Sequence, residues 1–366
     1  MKVLFMISHP AHFHMFRYTI DNLKKDGHEV VVVIRPKDVL ESLCQNAGMP
    51  YYKVKNRPQK WGLFGLGVFL IEKTFEVKRI VKKEHPEMLI GSDGVLAFVG
   101  KICRVSSFEW FEDDVDVIKL YAKMFFPFYT NVVSPVVCSA GKWEYKQIKY
   151  SGYQKLAYLH PNYFTPDKSV VEKYFRTDKP YFILRFAQLT AHHDQGVHGF
   201  NSDVAQHVID MLKLHGDVYI TSEKELPAQF AQYQMKINPL DIHHILAFAR
   251  LYIGDSQSMA VEASMLGTPG IRFNDFVGEK KISVLEELEH VYGLTYAIHS
   301  TQKEQLYAKI SELLLIPNIK EEWQLRQQKM LDDKIDVTAF YTWFIENYPE
   351  SGKIMKETPD YQYRFK

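Results

Sequence analysis

The feature that most constrains the fold is an alternation. Short runs rich in Val and Ile, at residues 3–7, 29–34, 88–90, 103–108 and 131–133, are separated by stretches with helical spacing, the first near 13–26 and the next from Asp38. Apolar runs of this kind are strands buried on both faces, and helices between them make βαβ units on a parallel sheet. The series lapses at 161–180, where Pro161, Pro166 and Pro180 punctuate a polar stretch that reads as a linker. It then starts again. Strands are expected at 181–186, 217–221, 251–253 and 270–273. Asn201 or Ser202 caps a helix to about Leu214, Pro239 opens one to Ala249, and a helix at 259–266 is closed by Gly267 and Pro269. The expected class is α/β, with two doubly wound, Rossmann-like domains facing each other across a cleft. Their bounds are 1–160 and 181–335, with a charged, aromatic helical tail at 336–366.

The 366 residues are enough for two such cores. Lys and Arg number 45 against 44 Asp and Glu, a net charge of +1, so no whole-protein field gathers nucleic acid, and no nucleic-acid module is present. With 46% hydrophobic and 24% charged residues the chain is globular. Cys44, Cys103 and Cys138 are odd in number and widely spaced, which fits a reducing cytoplasm and no disulfide framework. The N-terminal apolar run is too short for a signal peptide, and residues 122–141 are too polar for a membrane span.

The most informative segment is IGDSQSMAVEASMLGTP at 253–269. A buried strand ends in a polar turn, and the helix after it offers free N–H groups with the hydroxyls of Ser256 and Ser258, a setting for a phosphate or diphosphate. Glu262, one turn deeper on the face of Ser258, has the reach to accept both hydroxyls of a ribose. The plainer reading is an N-cap serine and a surface glutamate. Neither Gly-x-Gly-x-x-Gly nor a P-loop is present. Arg185, then Thr190, His192, His193, Asp194 and His198, follow a strand at the same sheet edge. A metal site among these histidines is disfavoured on so long a loop, and none is assigned. His243 and His244 open a helix nearby, one of them facing the same cleft.

In the first half His9, His12 and His14 follow the first strand, where ligands bind a doubly wound sheet, and one of them suits a general base. Asp93, Glu112, Asp113 and Asp114 follow later strands at that edge. Residues 51–86 carry nine Lys and Arg against three Glu around Trp61, Leu63, Phe64 and Phe69. This stretch reads either as a peripheral membrane contact at the inner face or as a buried helix with a solvated basic side.

Through ISHPAHFHMF, GYQKLAYLHPNYFTPD, LRFAQLTAHHDQGVHG and IGDSQSMAVEASMLGTPGIRFNDFVGEKK, nearly the whole chain resembles the family catalogued as domain of unknown function 354. That family is similar to GT-B enzymes, which include sugar-nucleotide glycosyltransferases and non-hydrolysing UDP-N-acetylglucosamine 2-epimerases. The resemblance implies a GT-B-like fold, a nucleotide sugar held mainly by the second domain, no obligatory metal or cofactor, and a C-terminal helix returning to the first domain. On the epimerase pattern Thr190 and His192 match a diphosphate contact, Asp255-Ser256 the phosphate turn, Glu262 the ribose ligand, and Asp93 and Glu112 two cleft carboxylates. The chain departs from it at His9 and Ala11, and lacks a further glutamate pair.

The favoured expectation is a metal-independent glycosyltransferase in cell-surface polysaccharide or glycolipid synthesis, moving sugar from a UDP-sugar donor to a sugar or lipid-linked acceptor. His12, Asp93, Glu112 and His192 are its candidate catalytic residues. Arg185, Thr190, His244, Ser256, Gln257, Ser258 and Glu262 are its candidate nucleotide contacts. The alternatives are a UDP-N-acetylhexosamine 2-epimerase and a non-catalytic sugar-nucleotide-binding protein.

Overall fold

The computed structural model describes residues 1–37, 39–55, 62–186, 200–222, 225–278 and 282–366. They form two compact units, Met1–Tyr163 with Lys334–Lys366, and Phe164–Asp333. The first holds strands β1 (Lys2–Ile7), β2 (Glu29–Ile34), β3 (Tyr52–Lys53), β4 (Met88–Gly91), β5 (Ser106–Trp110), β6 (Asn131–Pro135) and β7 (Gln147–Tyr150). The second holds β8 (Tyr181–Phe186), β9 (Asp217–Ser222), β10 (Leu251–Gly254), β11 (Gly270–Asn274) and β12 (Thr295–His299). All pairings between these strands are parallel, in the orders β3-β2-β1-β4-β5-β6-β7 and β12-β11-β10-β8-β9. The α/β expectation and both Rossmann-like sheets are therefore present.

Parallel pairing follows from the composition of the strands. Val3 to Ile7 of β1 are wholly buried, because the helical crossovers cover both faces of the sheet. One boundary differs from the sequence reading. The helix Val95–Cys103 runs through the residues expected to start a strand, and Arg104, at φ 57°, ends it in the left-handed region, so β5 begins only at Ser106. The helix Val337–Glu346 belongs to the first unit. The Thr338 hydroxyl donates to the Ala157 carbonyl at 2.6 Å, Tyr341 donates to Tyr150 at 2.8 Å, and Phe344 packs on Phe108 and Trp110.

The linker reading of 161–180 needs correction. A helix, Lys168–Glu172, starts there with the Asp167 carboxylate accepting the Ser169 N–H at 2.8 Å. Val171 and Phe175 are buried, Phe175 stacking on Tyr219 at 3.8 Å between ring centroids, so residues from Phe164 onward are part of the second unit. Prolines punctuate this stretch without freeing it, because its apolar side chains still find a core.

The helix Gln257–Met265 ends in a Schellman motif. The Thr268 N–H bonds to the Ala263 carbonyl at 2.9 Å and that of Gly267 to Ser264 at 3.2 Å, with Gly267 at φ 61°. Lys320 reinforces this end. Its ammonium donates to the carbonyls of Ala247 (2.6 Å) and Gly267 (2.9 Å) and to the Thr268 hydroxyl (3.1 Å), satisfying the ends of Ile242–Phe248 and Gln257–Met265 together. Burial lowers its pKa to about 8. Replacing Lys320 with Met leaves these acceptors without a donor, and urea unfolding of the second unit should show a loss of ~2–3 kcal/mol. An unchanged midpoint would mean that the two helix ends are held by other contacts.

Candidate functional site

Each unit has a point where the strand order reverses, and there the connections leave opposite faces and open a crevice. In the second unit it lies between β8 and β10. Gly254 ends β10 against β8 so closely that a Cβ would meet the Arg185 carbonyl at 2.8 Å and the Tyr252 hydroxyl at 2.6 Å. The chain then turns. The Asp255 N–H bonds to the Arg185 carbonyl at 3.2 Å, Asn274 donates to the Asp255 carbonyl at 3.0 Å, and Tyr252 donates to that of Ser256 at 3.1 Å. Ser256 is the N-cap, its hydroxyl accepting the Met259 N–H at 3.4 Å. Gln257 is half-buried and Ser258 exposed, and their N–H groups precede the first intrahelical bond.

One turn deeper Glu262 is mostly buried, with His243 Nε2 3.2 Å from its Oε1. His243 is itself buried and lies against Phe164. This histidine, rather than His244, is the one beside the candidate ribose carboxylate. His244 instead accepts the Asp167 N–H at 3.0 Å and packs on Phe164, with its pKa lowered by burial against the pull of Asp241 and Asp167. Arg185 donates to the Thr221 hydroxyl at 3.1 Å. Thr190, His192, His193, Asp194 and His198 lie outside the described residues. Among the described residues no group of three or more His, Cys, Asp or Glu is arranged to hold a metal ion.

In the first unit the reversal lies between β1 and β4. Asp93, just past β4, accepts from the Ser8 hydroxyl, just past β1, at 2.6 Å and from the Lys73 ammonium at 2.5 Å. Lys73 and Asp93 are 3% and 8% exposed, so this is a buried ion pair. Burial alone would raise the Asp93 pKa, but Lys73, the Ser8 bond and Arg35 hold it below the ordinary value. Lys73 is one of the nine basic residues of 51–86, yet it lies on neither a solvated nor a membrane-facing side. It lies four and eight residues before the buried Val77 and Val81, on the inward face of Gly62–Glu84.

The three histidines after β1 divide. His9 caps the helix Pro10–Lys25 by accepting the Ala11 N–H at 3.2 Å, and His14 is buried against Tyr158. His12 Nδ1 is sealed from solvent without a hydrogen-bond partner among the described residues. Burial, with His9, Lys155 and Arg35 nearby, lowers its pKa to about 3 despite Asp93, so His12 is neutral. Glu112 accepts the Gln154 N–H at 2.6 Å and is paired with Lys155.

Glu109, on β5, escaped the sequence reading. It is 2% exposed, accepts from Tyr121 at 2.9 Å, and burial together with the Asp93 charge raises its pKa to about 8, against its tyrosine hydrogen bonds. The one signal for it was a carboxylate inside an otherwise buried strand.

No protein-family model and no curated sequence matches the chain, so the resemblance to domain of unknown function 354 rests on its motifs. Solved structures do match. Staphylococcus aureus MnaA with UDP superposes at a TM-score of 0.63 and 13% identity, over 88% of this chain and 90% of that one. The Neisseria meningitidis UDP-GlcNAc 2-epimerase bound to UDP-GlcNAc gives 0.62 and 13%, over 91% and 95%. The spinosyn rhamnosyltransferase SpnG with spinosyn aglycone gives 0.60 and 12%, over 95% and 100%.

The fold is GT-B-like.

At these identities the likeness carries the fold alone. Two measurements test the electrostatics of the first unit. Lys73→Met should cost ~3–5 kcal/mol of stability by leaving Asp93 buried and unpaired, and adding Asp93→Asn should recover part of that loss. Strict additivity in denaturant unfolding would dissolve the pair. Glu109 has a pKa raised from 4.5 to about 8, so its contribution to stability is complete below pH 4.5 and is lost as pH rises through 8. Glu109→Gln should therefore gain on the wild type in melting temperature across that window, and a constant difference would contradict the assignment.

Proposed function

We propose that the chain is a glycosyltransferase that takes a sugar from a nucleotide-activated donor, a UDP-sugar, and passes it to a hydroxyl of a cell-surface polysaccharide or glycolipid acceptor in the cytoplasm. The observation that carries this reading is the second unit's reversal point, where a helix N-terminus with Ser256, Gln257 and Ser258 precedes the buried Glu262–His243 pair. Such a terminus suits a diphosphate, through its free N–H groups and the positive end of the helix dipole. Glu262 would take the ribose hydroxyls, with His243 fixing the carboxylate's orientation. Arg185, Thr190 and His192 would add donors, so that charge developing on the leaving diphosphate is met without a metal ion. The GT-B-like fold supports the same reading, since the solved structures that share it include one with UDP, one with UDP-GlcNAc and a rhamnosyltransferase.

Proton transfer from the acceptor hydroxyl would fall to Asp93 or His12. Asp93 stays ionised. His12 is neutral, and its low pKa makes it a weak base until an anionic substrate raises that pKa. Glu112, held by the Lys155 ammonium as Asp93 is by that of Lys73, is the third candidate. A second reading, the 2-epimerase reaction on a UDP-N-acetylhexosamine, is favoured by Asp93 and Glu112 following the neighbouring strands β4 and β5.

Calorimetry with UDP, GDP, CDP and dTDP, each with and without magnesium, should give selective, metal-independent UDP binding. Glu262→Ala should weaken that binding by ~1–3 kcal/mol. Donor consumption that requires an acceptor supports transfer, whereas deuterium entering carbon 2 without acceptor supports epimerisation. Binding of no nucleotide would remove the reading altogether.

A further inference from the structure

The helix Gly62–Glu84 has two apolar faces. Lys73, Val77 and Val81 face inward and are buried. On another face Val68, Ile71 and Phe75, at spacings of three and four, are 41%, 59% and 58% exposed. A soluble helix needs only one buried stripe, so the second calls for a partner. It is continuous with its neighbours. Ile102, on Val95–Cys103, is 54% exposed and Phe128 is 42% exposed, and Phe128 packs on Phe98 at 5.3 Å between centroids. Ile71, Phe75, Phe98, Ile102 and Phe128 line an apolar groove of about 410 Å³.

The charges around the groove have one dominant sign. Lys78 and Lys101 are its charged lining residues, and no carboxylate lines it. Arg79 and Lys82, each four residues beyond a groove residue (Phe75 and Lys78) on the same helix, are exposed. Against them stand Glu72, exposed on the same helix, and Glu76, whose carboxylate accepts the Lys55 N–H at 3.0 Å. We propose that this groove docks the protein on a lipid bilayer carrying anionic phospholipid. Phe75, Ile71 and Ile102 would enter the boundary between headgroups and acyl chains, and the lysines would meet the phosphates. Cationic side chains around an apolar centre are the pattern that an anionic bilayer surface binds. Of the residues expected from sequence, Trp61 and the side chains of Leu63 and Phe64 lie outside what is described; among the described residues the surface is made by Ile71 and Phe75 with Val68 on the same helix, and by Ile102 and Phe128 from elsewhere in the chain.

Sedimentation of the full chain with phosphatidylcholine vesicles, with and without phosphatidylglycerol, tests the proposal. The expected result is binding that requires phosphatidylglycerol and weakens as salt is raised. Lys78→Glu with Lys101→Glu should reduce it at least about tenfold, and Phe75→Asp with Ile102→Asp should reduce it likewise, circular dichroism confirming that both variants are folded. Wild type that fails to bind phosphatidylglycerol vesicles, or variants that bind as wild type does, would overturn it. So would self-association in analytical ultracentrifugation that the apolar double variant abolishes, in a chain that ignores vesicles, since a second copy would then cover the groove. No nucleotide enters the assay, so its outcome is independent of the nucleotide-sugar reading.

Discussion

Both sheets reverse strand order beside their first strand, and this reversal governs where polar chemistry sits. At β1 and β4 in one unit, and at β8 and β10 in the other, neighbouring strands send their connections to opposite faces. Side chains just past those strands meet in a place that is neither core nor open surface. Their polar groups must then be satisfied by one another. The first unit does this with an ion pair, Lys73–Asp93, backed by Ser8. The second does it with a helix terminus and the Glu262–His243 contact. A buried ion pair brings little net stability over apolar residues of the same volume. Its presence at the reversal point is therefore better accounted for by what the carboxylate does there than by what it adds to the fold.

The charges at the first unit's edge form a graded set. Asp93 is held below its ordinary pKa, while Glu109 is raised to about 8 by burial and by the Asp93 charge. Tyr129 donates to the Asp93 main-chain carbonyl at 2.8 Å and, with Tyr121, hydrogen-bonds the Glu109 carboxyl, so it ties the segment carrying Asp93 to Glu109. Two acids whose environments drive their pKa values apart provide an ionised and a protonated carboxyl side by side at neutral pH. His12, neutral and with a sealed Nδ1, adds a third group whose charge is fixed by burial rather than by its intrinsic basicity.

Much of this was legible in the chain. The Val and Ile runs specified parallel sheets because only strands covered on both faces read as continuous apolar segments, and the turn before Gln257 announced its cap through Ser256. What was not legible depended on tertiary contacts. The two-residue β3 lacks a periodic signal of its own, and Arg104 closes its helix in a conformation that its side chain does not advertise. Among the paired histidines, sequence spacing alone could not separate His243, which faces Glu262, from His244, which is engaged by the Asp167 backbone. Glu109 reads as a polar interruption of a strand until Tyr121 is seen against it.

The helix Gly62–Glu84 shows why a basic stretch cannot be read as a single feature. Lys73 and Phe75 are two residues apart, which places them roughly 200° apart around the helix axis. The charged residue faces in and the aromatic one faces out, the reverse of an ordinary amphipathic helix. Lys73 is kept inside by a carboxylate that returns, as a specific bond, the hydration that the ammonium gives up. Phe75 sits outside because the inward face is already filled by Val77 and Val81. A charge change at Lys73 therefore alters the ionisation of a buried site, whereas the same change at Lys78 alters only the field over a surface groove. Identical chemistry five residues apart acts through opposite sides of one helix.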